Sequence, residues 1–222
     1  MNNYKINKTK NNVEFLTANY YDKFWEKAEV GKISNFLSES ETFDVKSEFK
    51  LLYSDLGIFA VFKNLENSIR SEVKAHNSGS CADSCVEFFV KPNDRNIGYL
   101  NFEFTPLGFV HCSYVTDWKR KEGGALSKRD LLSAKEISML KIVSDYKKNS
   151  DTNMWSLAFF IPFKLIQLYF KFDEKDLVND NNWTANFYKC GDKTEKPHWI
   201  AWNEVNALNF HLPECFGILI FE

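Results

Sequence analysis

The chain has 222 residues, 44% hydrophobic and 26% charged, a balance that fits one globular domain or two small ones and excludes a disordered chain, a collagen and a coiled coil. A formal net charge of -2 supplies no field that would draw it to nucleic acid or an anionic membrane, and no apolar run is long enough to span a bilayer. Aromatic residues stand out at 16%, with 21 Phe, 9 Tyr and 6 Trp; such side chains fit pleated surfaces, so the composition points to a β-rich fold.

In chain order, residues 1–12 are polar and read as a frayed tail ahead of a single domain over 13–222. The opening stretch has no apolar segment suited to a signal peptide. A native start at Met1 therefore implies a cytoplasmic protein, and a removed signal a periplasmic or secreted one. In 20–29, Tyr21, Phe24, Trp25 and Ala28 recur at helical spacing and predict a short amphipathic helix. Strand signals then dominate: 48–53, 57–63, 85–91, 99–105, 109–115, 137–143, 155–161, 183–190, 198–202 and 216–221. Between them, 162–170 opens on a proline and reads as one short helix. The Lys/Arg run at 119–121 and the acidic stretch at 173–180 read as solvated loops. The oxygen ligands of that acidic stretch would also suit a structural calcium, though without regular spacing. Many short strands divided by turns predict an all-β fold, an antiparallel β-sandwich with one or two short helices.

Five cysteines, at positions 81, 85, 112, 190 and 215, leave at least one unpaired within the chain. Without a second CxxC-like pair at zinc spacing, they read as small apolar residues in a reducing compartment.

One hairpin can be read residue by residue. In VEFFVK, Val86, Phe88 and Val90 share a face; in YLNFEFT, Leu100, Phe102 and Phe104 do. The loop PNDRNIG between them is rich in turn formers. Turning both apolar faces to the core places Glu87 directly opposite Glu103 on the other face, Cβ atoms ~5 Å apart. Like charges so placed need a cation, a shared proton or a hydroxyl-rich ligand, and Lys189 is a nearby candidate cation.

The segments ADSCVEFFVKP, YLNFEFTPLG, WSLAFFIPFKLI, NFYKCGD, HWIAW and NFHLPECFGILIF, in this order and spacing, resemble the family 9 carbohydrate-binding modules, in particular their stand-alone bacterial relatives. The resemblance covers nearly the whole chain after residue 12. It implies an antiparallel β-sandwich that binds sugar without cleaving it, between aromatic rings, often beside a glycoside hydrolase. Residue by residue, Phe210 matches one of the family's two stacking positions and Glu87 a carboxylate that binds hydroxyls. The second stacking position, a Trp in the family, is Cys81 here, and the family's ligand-binding Arg falls on Glu103.

The ligand-binding candidates are therefore Glu87, Glu103, Asn186, Tyr188, Phe210 and His211. Asn186 and Tyr188 alternate with Phe187 and so share the sheet face of Glu87. Each also has a plainer reading: Phe210 as a cover over the sandwich end, His211 as a hydrogen-bonded structural residue, the glutamates as surface strand carboxylates. Trp202 reads as core. Two other functions stay open. One is a glycoside hydrolase using Glu87 and Glu103, since retaining enzymes hold their carboxyls ~5–5.5 Å apart. The other is a protein-interaction sandwich that has lost its sugar.

Overall fold

Alternation along the strands decides the layers. The computed structural model describes residues 1–93, 95–148, 152–177 and 183–222. Its strands are β1 (Asn3–Lys8), β2 (Gly31–Ile33), β3 (Asn35–Phe36), β4 (Lys46–Ser54), β5 (Gly57–Leu65), β6 (Cys85–Lys91), β7 (Tyr99–Phe104), β8 (Val110–Arg120), β9 (Leu126–Leu131), β10 (Lys141–Ser144), β11 (Met154–Pro162), β12 (Thr184–Cys190), β13 (Trp199–Ala201) and β14 (Gly217–Phe221). Two one-turn helices, α1 (Ala134–Ile137) and α2 (Phe163–Ile166), interrupt them.

The strands form a β-sandwich. One sheet runs β14-β12-β6-β7-β8-β9, with β13 and then β3 attached to β12; the other runs β10-β11-β5-β4, with β2 on β4. Among the described residues every strand pairing is antiparallel except the two made by β1. Residues 3–6 of β1 lie parallel to β14 and residues 7–8 parallel to β4, so the first strand joins the sheets.

Between the sheets lies a core of rings. Phe187 stacks on Phe49 at 3.8 Å and on Phe88 at 5.1 Å, and Phe104 stacks on Phe159 at 4.3 Å. Each such ring contributes about 1.5–3 kcal/mol through burial. Val86, Phe88, Val90, Leu100, Phe102 and Phe104 all point into this core, and the hairpin register is the expected one, Glu87 opposite Glu103. Trp202 is core too.

Several local expectations are corrected. Residues 1–12 are not a frayed tail: the alternation NYKINK carries Tyr4 and Ile6 into the core, and polar flanks hid it. The helix expected over 20–29 is a single 3-10 turn, Lys23–Trp25, capped by the Asp22 side chain. Its apolar residues instead cover the outer face of the second sheet, where Tyr20, Phe24 and Trp25 pack on Leu52, Phe59 and Val61. The strand expected over 137–143 is split between α1 and β10, because Ser133 and Glu136 form a capping box that starts a helix. The run 119–121 is not all loop, since Lys119 and Arg120 end β8. In the acidic stretch, the Asp173 carboxylate caps a turn and Glu174 accepts from Gln167; residues 178–180 lie outside the described residues. No helix among the described residues is long and apolar enough to cross a membrane.

Candidate functional site

The outer face of the first sheet carries polar side chains where a sheet in water would be bare. Tyr188, Glu87, Glu103 and His111 stand in one row across β12, β6, β7 and β8, each directly opposite the next. The row is not exposed: Glu87 retains 3% of its surface, Glu103 6% and His111 5%. What covers it is the chain between β13 and β14. Asn186 holds this cover in place. Its amide donates to the Asn203 carbonyl at 2.9 Å and accepts from the Asn203 N–H at 2.9 Å. Further along, Tyr188 donates to the Phe210 carbonyl at 2.9 Å and stacks on its ring at 4.1 Å. Tyr99 meets His211 Nδ1 at 2.6 Å.

Under the cover lies a cavity of about 480 Å³ lined by Cys81, Glu87, Glu103, His111, Arg120, Arg129, Cys190, Asp192, Trp199, Phe210 and His211, among others. Two aromatic side chains thus border it, Phe210 and Trp199. Trp199 is held by its indole N–H, which donates to Asp192 at 2.8 Å. Arg120 ties the β8–β9 turn to the cover, donating to Gly124 O at 2.6 Å and Asn209 Oδ1 at 2.9 Å. Arg129, on β9, reaches His111 Nε2 at 3.3 Å.

The carboxyls are poorly supplied with donors. Glu87 accepts from the Cys190 thiol at 3.1 Å, and Glu103 from the Asn101 amide at 2.7 Å. Burial, with the charge of Glu103 added, holds Glu87 well above the carboxylate range. Burial raises Glu103 to about 7 against the opposing pull of Arg129. The histidines are held neutral. Burial and Arg129 bring His111 down to about 4; burial, Arg120 and Arg129 bring His211 down to about 3. The cavity therefore offers hydroxyl-like carboxyls, guanidinium donors and ring surface.

Of the six candidate residues, four line this cavity: Glu87, Glu103, Phe210 and His211. Tyr188 lies behind Phe210 as its support, and Asn186 anchors the cover. Lys189 does not face the carboxyl pair. It pairs with Val86, one step out of phase, and its ammonium lies 3.2 Å from Glu66 in a separate buried cluster. Sequence reading missed Arg120, Arg129, His111 and Trp199. Trp199 had a signal: in HWIAW, a core Trp202 places Trp199 on the opposite face. The arginines had none, because a bulged strand and a long cover bring them in.

The carbohydrate-binding family 9 description matches residues 21–221. The chain belongs to this family. Among curated proteins none matches it. Among solved structures, a candidate carbohydrate-binding protein from Bacteroides uniformis ATCC 8492 is similar with a TM-score of 0.76 and 23% identity, over 99% of each chain. A family 9 module from Caldicellulosiruptor kristjanssonii in complex with cellotriose is similar at TM-score 0.64 and 13% identity, over 100% of this chain and 94% of the other. The same organism's module in complex with glucose gives 0.63 and 15%, over 100% and 96%. These likenesses establish the sandwich.

Proposed function

We propose that this family 9 chain is a non-catalytic carbohydrate-binding module whose sugar enters the cavity between Phe210 and Trp199. A pyranose has an apolar face that lies on a ring and a rim of hydroxyls that needs donors and acceptors. Phe210 and Trp199 supply rings; Glu87 and Glu103 supply acceptors; Arg129 and Arg120 supply the cation that the Glu103 position lacks. The observation that carries the reading is the under-supplied carboxyl pair lying beneath an aromatic-lined cavity in a chain of this family. The complexes of the Caldicellulosiruptor modules with cellotriose and glucose support saccharides as the ligand class.

Binding is favoured over cleavage by the family, which is a carbohydrate-binding one. Burial raises both carboxyls, and with Glu103 at about 7 the pair carries about one charge near neutral pH, a hydrogen-bond donor and an acceptor side by side for sugar hydroxyls. A glycoside hydrolase acting on the bound glycan is the protein partner this reading implies, and co-purification with such an enzyme checks it. The module itself is tested by a glycan array followed by isothermal titration, with cellotriose and glucose as first ligands. The expected Kd lies nearer millimolar than nanomolar, since few exposed contacts offset the ordering of a flexible sugar. An array on which no glycan binds would overturn the reading. So would hydrolysis of an oligosaccharide that is lost in Glu87→Gln and Glu103→Gln while folding is kept.

A further inference from the structure

Beside the cavity two sulfur atoms and a carboxylate converge. Cys85 and Cys190 stand opposite each other across β6 and β12, and Glu87 is the next residue on the same face of β6. Their donor atoms all lie within 4.8 Å of one another. The Cys190 thiol points at Glu87, donating to Oε1 at 3.1 Å, so it is not simply packed as an apolar group. Cys81 borders the same cavity from the Ser80–Ala82 turn. That turn is clamped to the residues after Cys190: Asp192 N–H donates to Cys81 O at 2.9 Å and Lys193 N–H to Ala82 O at 3.2 Å.

The geometry points to a binding site for a thiophilic divalent cation of the Zn2+ class, ligated by Cys85, Cys190 and Glu87, with Cys81 as the fourth ligand. Tetrahedral zinc with bonds of about 2.0–2.3 Å holds its donor atoms roughly 3.5–3.8 Å apart, so a pair near the 4.8 Å limit closes by on the order of an ångström while Cys190 and Glu87, at 3.1 Å, move slightly apart. Thiolates beside one carboxylate select a soft, borderline d10 ion over calcium or magnesium. An entry path exists, because Glu87, Cys190 and Cys81 border the open cavity. The strands fix three ligands and the clamped turn the fourth, so little chain has to be ordered on binding. Thiols ligate such a cation as thiolates, so the cation has to displace their protons. Binding therefore releases protons and tightens as pH rises.

The test is titration of the reduced full chain with Cd2+ alone, read by the ultraviolet charge-transfer absorption of cadmium–thiolate bonds. One ion per chain is expected, with protons released to the buffer. Cys190→Ser and Cys85→Ser should each weaken Cd2+ binding by at least the ~10–100-fold that losing even an outer-shell partner costs a metal site. Cys215→Ser, on the cover, should leave it unchanged. Should the buried variants fail to fold, X-ray absorption of the Zn2+-loaded parent decides. A shell of two or three sulfurs at about 2.3 Å supports the site, and a shell of nitrogen and oxygen alone overturns it. Absence of the charge-transfer band, or a band unchanged in both folded serine variants, overturns it as well. The titration contains no sugar, so its outcome is independent of the sugar reading.

Discussion

Two groups of buried carboxyls in this sandwich, Glu66 and the Glu87–Glu103 pair, are treated in opposite ways. Glu66, at the end of β5, is fully supplied: it accepts from Trp155 Nε1 at 2.6 Å, from Ser84 Oγ at 2.9 Å and from the Lys189 ammonium at 3.2 Å. Lys189 in turn lies 2.9 Å from His198 Nε2 and donates to its neighbour's carbonyl at 2.9 Å. Glu87 and Glu103 lie on the outer face of the first sheet, opposite the face from which Lys189 reaches Glu66, and receive one donor each from the protein, a thiol and an amide. The first cluster is a finished structural joint. The second keeps hydrogen-bonding capacity in reserve beside a cavity. Burial alone therefore does not distinguish structure from function; the count of satisfied lone pairs does.

The largest test of this contrast is Lys189→Met. Removing the cation strands Glu66 as an unpaired buried charge, and urea denaturation should show a loss of about 3–5 kcal/mol. Glu103→Gln should act in the opposite direction. Its folded value of about 7 lies above the ordinary carboxylate value, so the parent loses stability as pH rises from the unfolded value through about 7. At pH 8 the glutamine variant should be more stable by about 1–3 kcal/mol, and near pH 4 the gain should vanish. A Glu103→Gln protein less stable than the parent at pH 8 would show that this carboxylate, too, is a structural joint.

A smaller effect separates the clusters by pH. Burial and Lys189 hold His198 down to about 4, below the ordinary 6.5. Between those values the unfolded chain takes up a proton that the folded chain refuses, so stability falls as pH drops through this window. The change in unfolding free energy between pH 7 and pH 5 should therefore be less unfavourable in His198→Asn than in the parent, by about 1–2 kcal/mol. Equal changes in both proteins would remove His198 from the balance. The smallest expected effect is on sugar: Phe210→Ala and Trp199→Ala should each weaken binding by about 0.5–1.5 kcal/mol in isothermal titration, with unchanged folding of the Trp199 variant. Full affinity in both variants would detach the rings from the ligand.

How much of this was legible in the sequence depended on how local the signal was. The β6–β7 register follows from two alternating segments and a turn between them, and the core rings follow with it. The family resemblance placed Phe210 and Glu87 at the cavity. The strand at residues 3–8 was missed because its two partners, β14 and β4, come much later in the chain, and nothing within NYKINK announces them. That Asn186 and Tyr188 do not line the cavity has a similar cause. Alternation assigns a residue to a face, but only the course of the cover decides whether that face meets a cavity or another side chain.

The placement of β1 also sets an order in time. Asn3 pairs with Ile218, and Lys8 N–H donates to Glu222 O, while its other edge is taken by β4. During synthesis the first strand leaves the ribosome with neither neighbour made, and its pairing with β14 waits for more than two hundred further residues. Until then both sheets have an open edge at the seam. That edge is the place where an unfinished chain is exposed to pairing with another molecule, and closing β14 against β1 completes the sandwich.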